Sequence, residues 1–307
     1  MLTKDYILSP DVQQAIRLKQ PIVALETAVV THGLPHPQNL ELACDLEAVI
    51  RTAGATPATI GLIDGKIHVG LSKEELERLA TEPKMRKISR RDFGIAIALR
   101  ESGGTTVAGT LIAAHAAGIE VFATGGIGGV HREAPFDVST DLEELSRSPL
   151  VVVCAGAKAI LDLPATLEVL ETKGVAVVGY RTDEFPAFYS IESGLPVAVR
   201  VDTPAEVARL ARAQWALGIL AAVLVVAPPP PESAIPAAEV EAEIRQALKE
   251  LHEQGIRGPA VTPFLLSRVS QLTDGGSLKA NLALLKNNAQ IAAEIAKELK
   301  GGRTEKI

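Results

Sequence analysis

Short apolar runs alternate with amphipathic segments along most of this chain. Runs typical of buried β-strands cover residues 22–25, 58–63, 120–123, 150–154, 175–178 and 220–226. Between them, apolar positions spaced three and four residues apart predict helices over residues 39–52, 107–117, 159–172 and 204–217. This alternation predicts an α/β fold, a three-layer α/β/α sandwich around a mixed, mostly parallel sheet.

Two further patterns complete the predicted architecture. Asp64-Gly65-Lys66 ahead of Ile67 predicts a hairpin, and hence some antiparallel pairing. After a stiff proline connector at 228–231, helical spacing resumes at Ala237 and predicts helices over 237–254, 263–272 and 277–299. Because no repeat or linker composition divides the chain, we expect residues 1–307 to form a single domain.

The composition excludes several classes of protein. Hydrophobic residues make up 47% and charged residues 22%, which indicates a folded globular chain and not a disordered one. The formal net charge of −6 argues against general nucleic-acid binding, so any phosphate must bind to a local group of basic side chains. The first residues do not resemble a signal peptide, and the apolar run 220–227 is too short for a membrane span. We therefore expect a cytoplasmic protein.

Cysteine usage points the same way. The two cysteines, Cys44 and Cys154, are far apart in sequence and lie in apolar surroundings. Buried free thiols in a reducing compartment are the favoured interpretation over a disulfide.

Lys158 is the residue that points most directly to chemistry. It closes the string Val151 to Lys158, in which a buried run breaks at Gly156, and the helical pattern from Ala159 places it in the first turn of a helix. Ligand sites of α/β proteins lie at the carboxyl ends of strands. The helix dipole there favours the neutral amine, which can attack a carbonyl carbon. A surface lysine whose stem packs while its ammonium reaches water is the alternative.

Glu26 ends the first buried run, in Ala24-Leu25-Glu26-Thr27. Partial burial there raises the pKa of a carboxyl group toward the range useful for general acid–base catalysis. A structural ion pair at the strand end is an equally good interpretation. In the loop that follows, Gln38 or Asn39 is a candidate cap for the next helix.

A glycine-rich stretch and two aspartates follow the run at 120–123. Four glycines among residues 125–129 can present backbone N–H groups to an anion, or can serve a tight turn needed only for packing. Asp137 is a candidate ligand for a hard cation such as Mn²⁺ or Mg²⁺. Asp141 is as well suited to cap a short helix, so Asp137 is the preferred metal ligand.

The dense basic cluster of this acidic chain spans residues 84–92. It would attract the phosphate of a small substrate, although a charge run of this kind is more often a solvated surface. Gly104 to Val107 opens the next predicted helix, whose free N–H groups could share that phosphate.

Taken in order, these segments resemble the pseudouridine-5′-phosphate glycosidase family, which also carries the indigoidine-synthase A name. The matching strings extend over nearly the whole chain: ALETAVVTHGLPHPQNLE, RKISRRD, GGTTVAGTLIAAHAAGI, VFATGGIGGVHR, FDVSTDLEEL, VVVCAGAKAILDL, GYRTDEFPAFYS, GPAVTPFLL and SLKANLALLKNNA. The resemblance implies a metal-dependent, homotrimeric enzyme. Its reaction would be the reversible cleavage of the C–C glycosidic bond of pseudouridine 5′-phosphate into uracil and ribose 5-phosphate.

The resemblance also implies roles for individual residues. Lys158 would be the Schiff-base nucleophile at the anomeric carbon, Glu26 the proton donor that opens the ribose ring, and Asp137 the ligand of one Mn²⁺ per subunit. The positions expected to bind substrate are Lys87, Val107, Ser139, Thr140 and Asp141, with His131 and Asn281 near the base. The loop after His131 is shorter than is usual in the family, and Thr140 stands where alanine is common.

The chemistry agrees with this resemblance. A carbon leaving group cannot be released by simple protonation, so the carboxylate pair of ordinary glycosidases fits badly and an amine that forms an open-chain adduct fits better. A Schiff-base aldolase acting on a sugar phosphate and a non-catalytic sugar-phosphate sensor share the same lysine and phosphate features. Both stay open as alternatives.

Overall fold

The structure, a computed structural model, describes residues 3–132, 134–256 and 261–301. In chain order, its strands are β1 (Tyr6–Leu8), β2 (Ile22–Leu25), β3 (Thr56–Ile63), β4 (Lys66–Val69), β5 (Arg86–Ile88), β6 (Gly103–Thr105), β7 (Val121–Ala123), β8 (Val130–His131), β9 (Ala134–Val138), β10 (Val151–Cys154), β11 (Leu161–Asp162), β12 (Ala176–Tyr180), β13 (Val199–Val201) and β14 (Val223–Val226).

The helices surround these strands in sequence. They are α1 (Pro10–Arg17), α2 (Gln38–Thr52), α3 (Lys73–Thr81), α4 (Asp92–Leu99), α5 (Val107–Ala116), α6 (Thr140–Leu145), α7 (Leu163–Thr172), α8 (Pro204–Ala216), α9 (Ala237–Glu253), α10 (Val261–Leu272) and α11 (Gly276–Gly301), with a π-helical turn over Val29–Gly33. Helix α11 packs against β2, β7 and β10, and α5 packs against β2, β3 and β4.

The main sheet has the order β1-β4-β3-β2-β7-β10-β14-β12-β13, and β6 and β5 extend it from β3. Every pairing from β3 to β13 along this path is parallel, whereas β3 pairs antiparallel with β4 and with β6. Ile63 lies opposite Lys66 in the predicted hairpin. The structure thus confirms the predicted α/β fold with a mixed, mostly parallel sheet.

The centre of the sheet explains why the sequence contains continuous apolar runs and not an alternating pattern. Strands β2, β10 and β14 are buried at every position, as expected for parallel strands covered on both faces. The core is contiguous from Val12 in α1 to Leu299 in α11. This supports the prediction of a single domain, which stays a prediction.

A second, small sheet was not predicted. It has the order β11-β8-β9 and is antiparallel, with His131 opposite Leu161 and Val130 opposite Val138. Because Leu161 and Asp162 pair in β11, the helix predicted over residues 159–172 begins only at Leu163. Its cap is Asp162, whose carboxylate accepts the N–H of Ala165 at 3.0 Å.

Three sequence predictions at single residues are wrong. Cys44 is exposed, and only Cys154 is buried. Asn39 is the second residue of α2 and not its N-cap, although its Oδ1 accepts the first-turn N–H of Leu40 at 2.8 Å. Gln38 is the first residue of that helix, and the N-cap is Pro37. Within the described ranges, the helices lack the length and apolar character that a membrane crossing requires.

Candidate active site

Three neighbouring parallel strands, β2, β7 and β10, end at the same edge of the main sheet. Glu26 directly follows β2, and Thr124 directly follows β7. Lys158 lies beyond the end of β10, after Gly156, whose φ of +86° turns the chain. The backbone N–H of Lys158 donates to the carbonyl of Ile127 at 3.1 Å. This hydrogen bond joins the segment after β10 to the loop after β7. Lys158 is therefore in a turn and not in the first turn of a helix, so the helix-dipole argument for its neutral amine is wrong.

Glu26 has the environment expected of a general acid. Its side chain is half-buried, and its Oε1 accepts a hydrogen bond from the hydroxyl of Thr124. Burial raises the pKa of Glu26 above its ordinary value, while the positive charge of Lys158 and the bond from Thr124 act in the opposite direction. A raised pKa keeps more of the group protonated near neutral pH.

Lys87 lies in the middle of β5, opposite Gly104 of β6. Burial lowers the pKa of Lys87, the positive charge of Lys158 lowers it further, and the negative charges of Asp141 and Glu26 act against both. The side chain itself is half-buried, unlike the solvated surface that a charge run usually forms. Glu26, Lys87, Asp141 and Lys158 form one electrostatic group, called the strand-end group below.

Asp141 holds two parts of the site together. This buried carboxylate accepts the N–H of Ala108 through Oδ1 and the N–H of Gly128 through Oδ2, both at 2.8 Å. It therefore joins the start of α5 to the glycine-rich stretch at residues 125–129, called the glycine loop below. The expectation that Asp141 caps α6 is wrong, because Ser139 is the cap and its hydroxyl accepts the N–H of Asp141 at 3.2 Å.

In the first turn of α5, one backbone amide has no acceptor among the described residues. The hydroxyl of Thr106 accepts the N–H of Gly109 at 3.2 Å, and Asp141 accepts that of Ala108. Neither cap takes the N–H of Val107, the first residue of the helix. A helix N-terminus with a free N–H attracts anions, so Val107 suits its predicted role in substrate binding through its backbone.

The glycine loop is shaped largely by close packing. A Cβ on Gly126 would lie 2.6 Å from the ring of Phe188, and one on Gly128 would lie 2.3 Å from Ser139 Oγ. The N–H of Gly128 is already bound by Asp141. These contacts support the packing interpretation of the loop at Gly126 and Gly128, and they leave the anion-binding interpretation without support at Gly128.

The two residues expected near the base lie at the borders of this loop. Asn281 of α11 is half-buried, and its Oδ1 lies close to Gly125, where a Cβ would be 3.4 Å away. His131 is the last residue of β8 and is also half-buried. Their contacts with a base stay predictions, as does the binding role of Ser139.

Asp137 and Thr140 differ from the other predicted site residues, because both are exposed. In the described ranges, the charge of Asp137 is not among those that act on Glu26 or Lys87, and no group of three or more His, Cys, Asp and Glu side chains could hold a metal. An ion at Asp137 would take most of its ligands from water and substrate. That arrangement is common for hard divalent cations, so the site fits a hydrated Mn²⁺ or Mg²⁺.

The basic cluster is not one phosphate site. Arg86 pairs with Glu101 and with Asp92, the latter at 3.3 Å, and Arg90 pairs with the buried carboxylate of Glu144 at 2.8 Å. Both arginines therefore serve the fold. Lys87 differs from these arginines, because it interacts with the other members of the strand-end group, Glu26, Asp141 and Lys158.

Comparison with known proteins identifies the family. The family model described as "Indigoidine synthase A like protein" matches residues 11–298. The chain belongs to this family. Relatives named pseudouridine-5′-phosphate glycosidase include one from Paracoccus denitrificans (strain Pd 1222), 56% identical over 94% of this chain and 96% of its own. Another, from Solibacter usitatus (strain Ellin6076), is 53% identical over 95% of this chain and 98% of its own.

Two solved structures resemble the whole fold. The prealnumycin C-glycosynthase AlnA, crystallised with ribulose 5-phosphate, has a TM-score of 0.92 and 40% identity over 99% of this chain and 100% of its own. An indigoidine synthase A-like protein from Thermotoga maritima MSB8 has a TM-score of 0.89 and 38% identity over 98% and 99%.

In this family member, Arg132 supports the segment next to the site, a role that the sequence did not reveal. Its guanidinium donates to the carbonyls of Ala159 at 3.0 Å and Leu161 at 3.1 Å, and it binds both carboxylate oxygens of Glu241. It thereby holds the turn that follows Lys158 against α9. Arg132 belongs to a matching string, but no sequence pattern pairs it with a glutamate so far along the chain.

Thr124 and Asn288 were also missed. The sequence presents Thr124 only as the start of a glycine loop and Asn288 only as one of several asparagines in a helix. In the structure, the side chain of Asn288 donates to the carbonyl of Thr124 at 2.8 Å, across 164 residues of sequence. Only the packing of α11 on the sheet reveals this contact.

Proposed function

We propose that this chain is a pseudouridine-5′-phosphate glycosidase, which reversibly cleaves pseudouridine 5′-phosphate into uracil and ribose 5-phosphate. The observation that carries the proposal is the convergence of a burial-shifted carboxyl group, Glu26, with the amine of Lys158 at the ends of neighbouring strands. Relatives of that name at 50–56% identity over nearly the full length support it. The sugar phosphate bound by the structural neighbour AlnA supports a sugar-phosphate substrate.

In the proposed reaction, Glu26 donates its proton to the ring oxygen of the ribose while the amine of Lys158 adds to the anomeric carbon. The ring opens and leaves an open-chain adduct bound to Lys158. The nitrogen lone pair then forms an imine as the C–C bond breaks. The bonding electrons pass into the uracil ring, which takes up a proton, and water hydrolyses the imine to release ribose 5-phosphate.

Lys87 and the N–H of Val107 are the groups we assign to the phosphate. A phosphate next to Lys87 stabilises the charged ammonium that burial disfavours. The amide of Val107 adds a hydrogen bond directed along the helix axis. Asp141 supports both groups, because it binds the next amide of the same helix and its charge favours protonated Lys87.

We further propose that Asp137 holds one Mn²⁺ per subunit, which would order water and substrate oxygens near the pyrimidine. No step of the reaction above depends on this ion. The homotrimer and the cytoplasmic location expected from the sequence stay predictions.

The decisive experiment combines turnover with trapping. The enzyme is incubated with ribose 5-phosphate, reduced with borohydride and digested, and the peptide that bears Lys158 is examined by mass spectrometry. We expect an adduct on Lys158, formation of pseudouridine 5′-phosphate when uracil is added, and release of uracil in the reverse direction, measured with and without Mn²⁺. In Lys158→Ala we expect neither adduct nor turnover, with folding intact by circular dichroism.

Each alternative outcome identifies another function. An adduct without any dependence on uracil would indicate a Schiff-base aldolase. Binding of ribose 5-phosphate without adduct or turnover would indicate a sensor. Turnover of Lys158→Ala close to that of the unmodified enzyme would remove Lys158 from the reaction.

A further inference from the structure

We propose that Thr124, held in place by Asn288, is a positioning residue that directs the acidic proton of Glu26 onto Oε2, the oxygen that Thr124 does not contact. The inference rests on the proposed function, because it takes Glu26 as the general acid. Three observations support it: the geometry of Thr124, the burial of Asn288 and the charges around Glu26.

Thr124 is held on both sides of its backbone. Its N–H donates to the carbonyl of Val153 in β10 at 3.0 Å, and its carbonyl accepts the side-chain N–H of Asn288 at 2.8 Å. The residue is 2% exposed. Its backbone is anchored to both a strand and a helix, and its β-branched side chain is buried, which restricts χ1. The fold therefore limits the direction of the hydroxyl group before any substrate binds.

The hydroxyl of Thr124 donates to Oε1 of Glu26. In the described ranges, Thr124 Oγ1 has no second hydrogen-bond acceptor. If Glu26 carried its proton on Oε1 and donated to Thr124, the hydroxyl hydrogen would lie buried without a partner, which is costly. The favoured arrangement therefore leaves Oε1 as an acceptor and places the proton on Oε2. When that proton moves to the ring oxygen, the same hydroxyl stabilises the new carboxylate.

The environment of Asn288 indicates that its hydrogen bond to Thr124 is kept at the expense of some folding stability. The side chain is fully buried, and its Oδ1 has no hydrogen-bond partner among the described residues. A buried amide oxygen without a partner is destabilising, and an apolar side chain would avoid that loss. The hydrogen bond from Nδ2 to Thr124 is the contact that explains an asparagine in this place. Asn281, two helical turns earlier, reaches the neighbouring Gly125.

The charged groups that act on Glu26 are Lys158 from the turn after β10, Asp141 from α6 and Lys87 from β5. Substitutions at Thr124 or Asn288 leave all three in place. A change in the titration of Glu26 in such variants therefore reports on the hydrogen bond from Thr124 and not on a lost charge.

The test is Thr124→Val, which keeps the branched shape and removes the donor. We expect kcat for pseudouridine 5′-phosphate to fall about tenfold with little change in KM, because the acid acts only in the transition state. We also expect the apparent pKa of Glu26, read from the pH profile of kcat/KM, to move to higher pH because the carboxylate has lost a donor. Thr124→Ser restores the hydroxyl and should restore both values.

Asn288→Ala tests the support for Thr124, with Asn287→Ala as its matched control. Asn287 is the preceding residue of α11, and its side chain lies 3.5 Å from the carbonyl of Pro228, away from Thr124. We expect a loss in kcat of about threefold and the same direction of pH shift for Asn288→Ala, and no change for Asn287→Ala. Thermal melts identify any loss that comes from unfolding.

Several results would overturn the inference. They are a Thr124→Val enzyme with unchanged kcat and pH profile, a Thr124→Ser enzyme as impaired as Thr124→Val, or equal effects at Asn287 and Asn288. If Thr124→Val does not fold, a reduced kcat in Asn288→Ala with an unshifted pH profile is sufficient to reject it. An unmodified enzyme that neither cleaves the substrate nor forms the adduct rejects the proposed function itself, and the inference with it.

Discussion

The predicted site has two parts in two regions of the molecule. The predicted catalytic and phosphate-binding residues lie at the edge of the main sheet, and the predicted metal ligand lies on the hairpin of β8 and β9. At the sheet edge, Glu26 and Lys87 each respond to the charges of Asp141 and Lys158. On the hairpin, Asp137 is exposed, and its charge is not among those that act on Glu26 or Lys87 in the described residues. The fold alone therefore brings together the proposed acid, the proposed nucleophilic amine and the lysine proposed to bind phosphate. A metal at Asp137 depends on ligands that water and substrate supply.

The largest expected effect at the sheet edge, apart from loss of Lys158, is that of Glu26→Gln. This change keeps the shape and the acceptor oxygen for Thr124 but removes the acidic proton. We expect kcat to fall by about 100-fold or more, since a positioned general acid contributes about 10²–10⁴-fold. Steady-state kinetics on pseudouridine 5′-phosphate measure it. A loss below fivefold would show that the acid lies elsewhere, and would remove the main contrast with the hairpin.

Lys87→Ala separates binding from chemistry in the same group. We expect KM for the phosphorylated substrate to rise about tenfold with a smaller change in kcat, because the lost contact serves substrate and transition state alike. Lys84→Ala is the matched control, since Lys84 is an exposed lysine of the same basic cluster. Equal effects of the two substitutions would mean that the cluster attracts phosphate only through its general charge.

Asp141 and Asp137 allow the sheet edge and the hairpin to be compared through the free energy of unfolding. Asp141→Asn leaves one of the Ala108 and Gly128 amides without its acceptor, and should lower the free energy of unfolding by about 2 kcal/mol. Asp137→Asn changes an exposed side chain and should alter it by less than about 0.5 kcal/mol. Urea titrations of both variants measure the difference.

The activity of the same two variants adds a second contrast. We expect added Mn²⁺ to raise the turnover of the Asp141→Asn enzyme and to have little effect on that of Asp137→Asn. Mn²⁺ that stimulates both variants equally would place the ion away from Asp137.

A small effect is expected on the thermal stability of Glu26→Gln. Because burial raises the pKa of Glu26, the folded chain holds this proton more tightly than the unfolded chain. The stability linked to the group is present below the ordinary glutamate pKa and is lost as the pH rises through the raised folded value. Glu26→Gln removes this loss, so its Tm should exceed that of the unmodified chain by about 2 °C at neutral pH and match it in acid. Melts at both pH values test this.

Much of the fold could be predicted because its signals are local. The run at 22–25 is the observed β2, the cap Thr106 lies just ahead of α5, and α9 begins at Ala237 as predicted. Continuous apolar runs indicate central strands and capping residues indicate helix starts, whatever the rest of the chain does. At the site, Glu26 and Lys158 could be found because both follow such runs.

The failures are equally informative, because each comes from a partner that is distant in sequence. The pattern from Ala159 resembles a helix, but Leu161 and Asp162 pair with β8, so Lys158 lies in a turn. Asp141 has the local spacing of a helix cap, yet its oxygens bind amides of α5 and of the glycine loop.

The sequence by itself determined the central strands and most of the helices beside them, the family and the identity of the residues with chemical potential, since these depend on residue type and spacing. Only the tertiary structure decided which of them act together. It places Lys87 inside the charged group while Arg86 and Arg90 bind other carboxylates, and it brings Asn288 to Thr124. Burial and hydrogen bonding depend on neighbours in space, and those neighbours exist only once the sheet and α11 have packed.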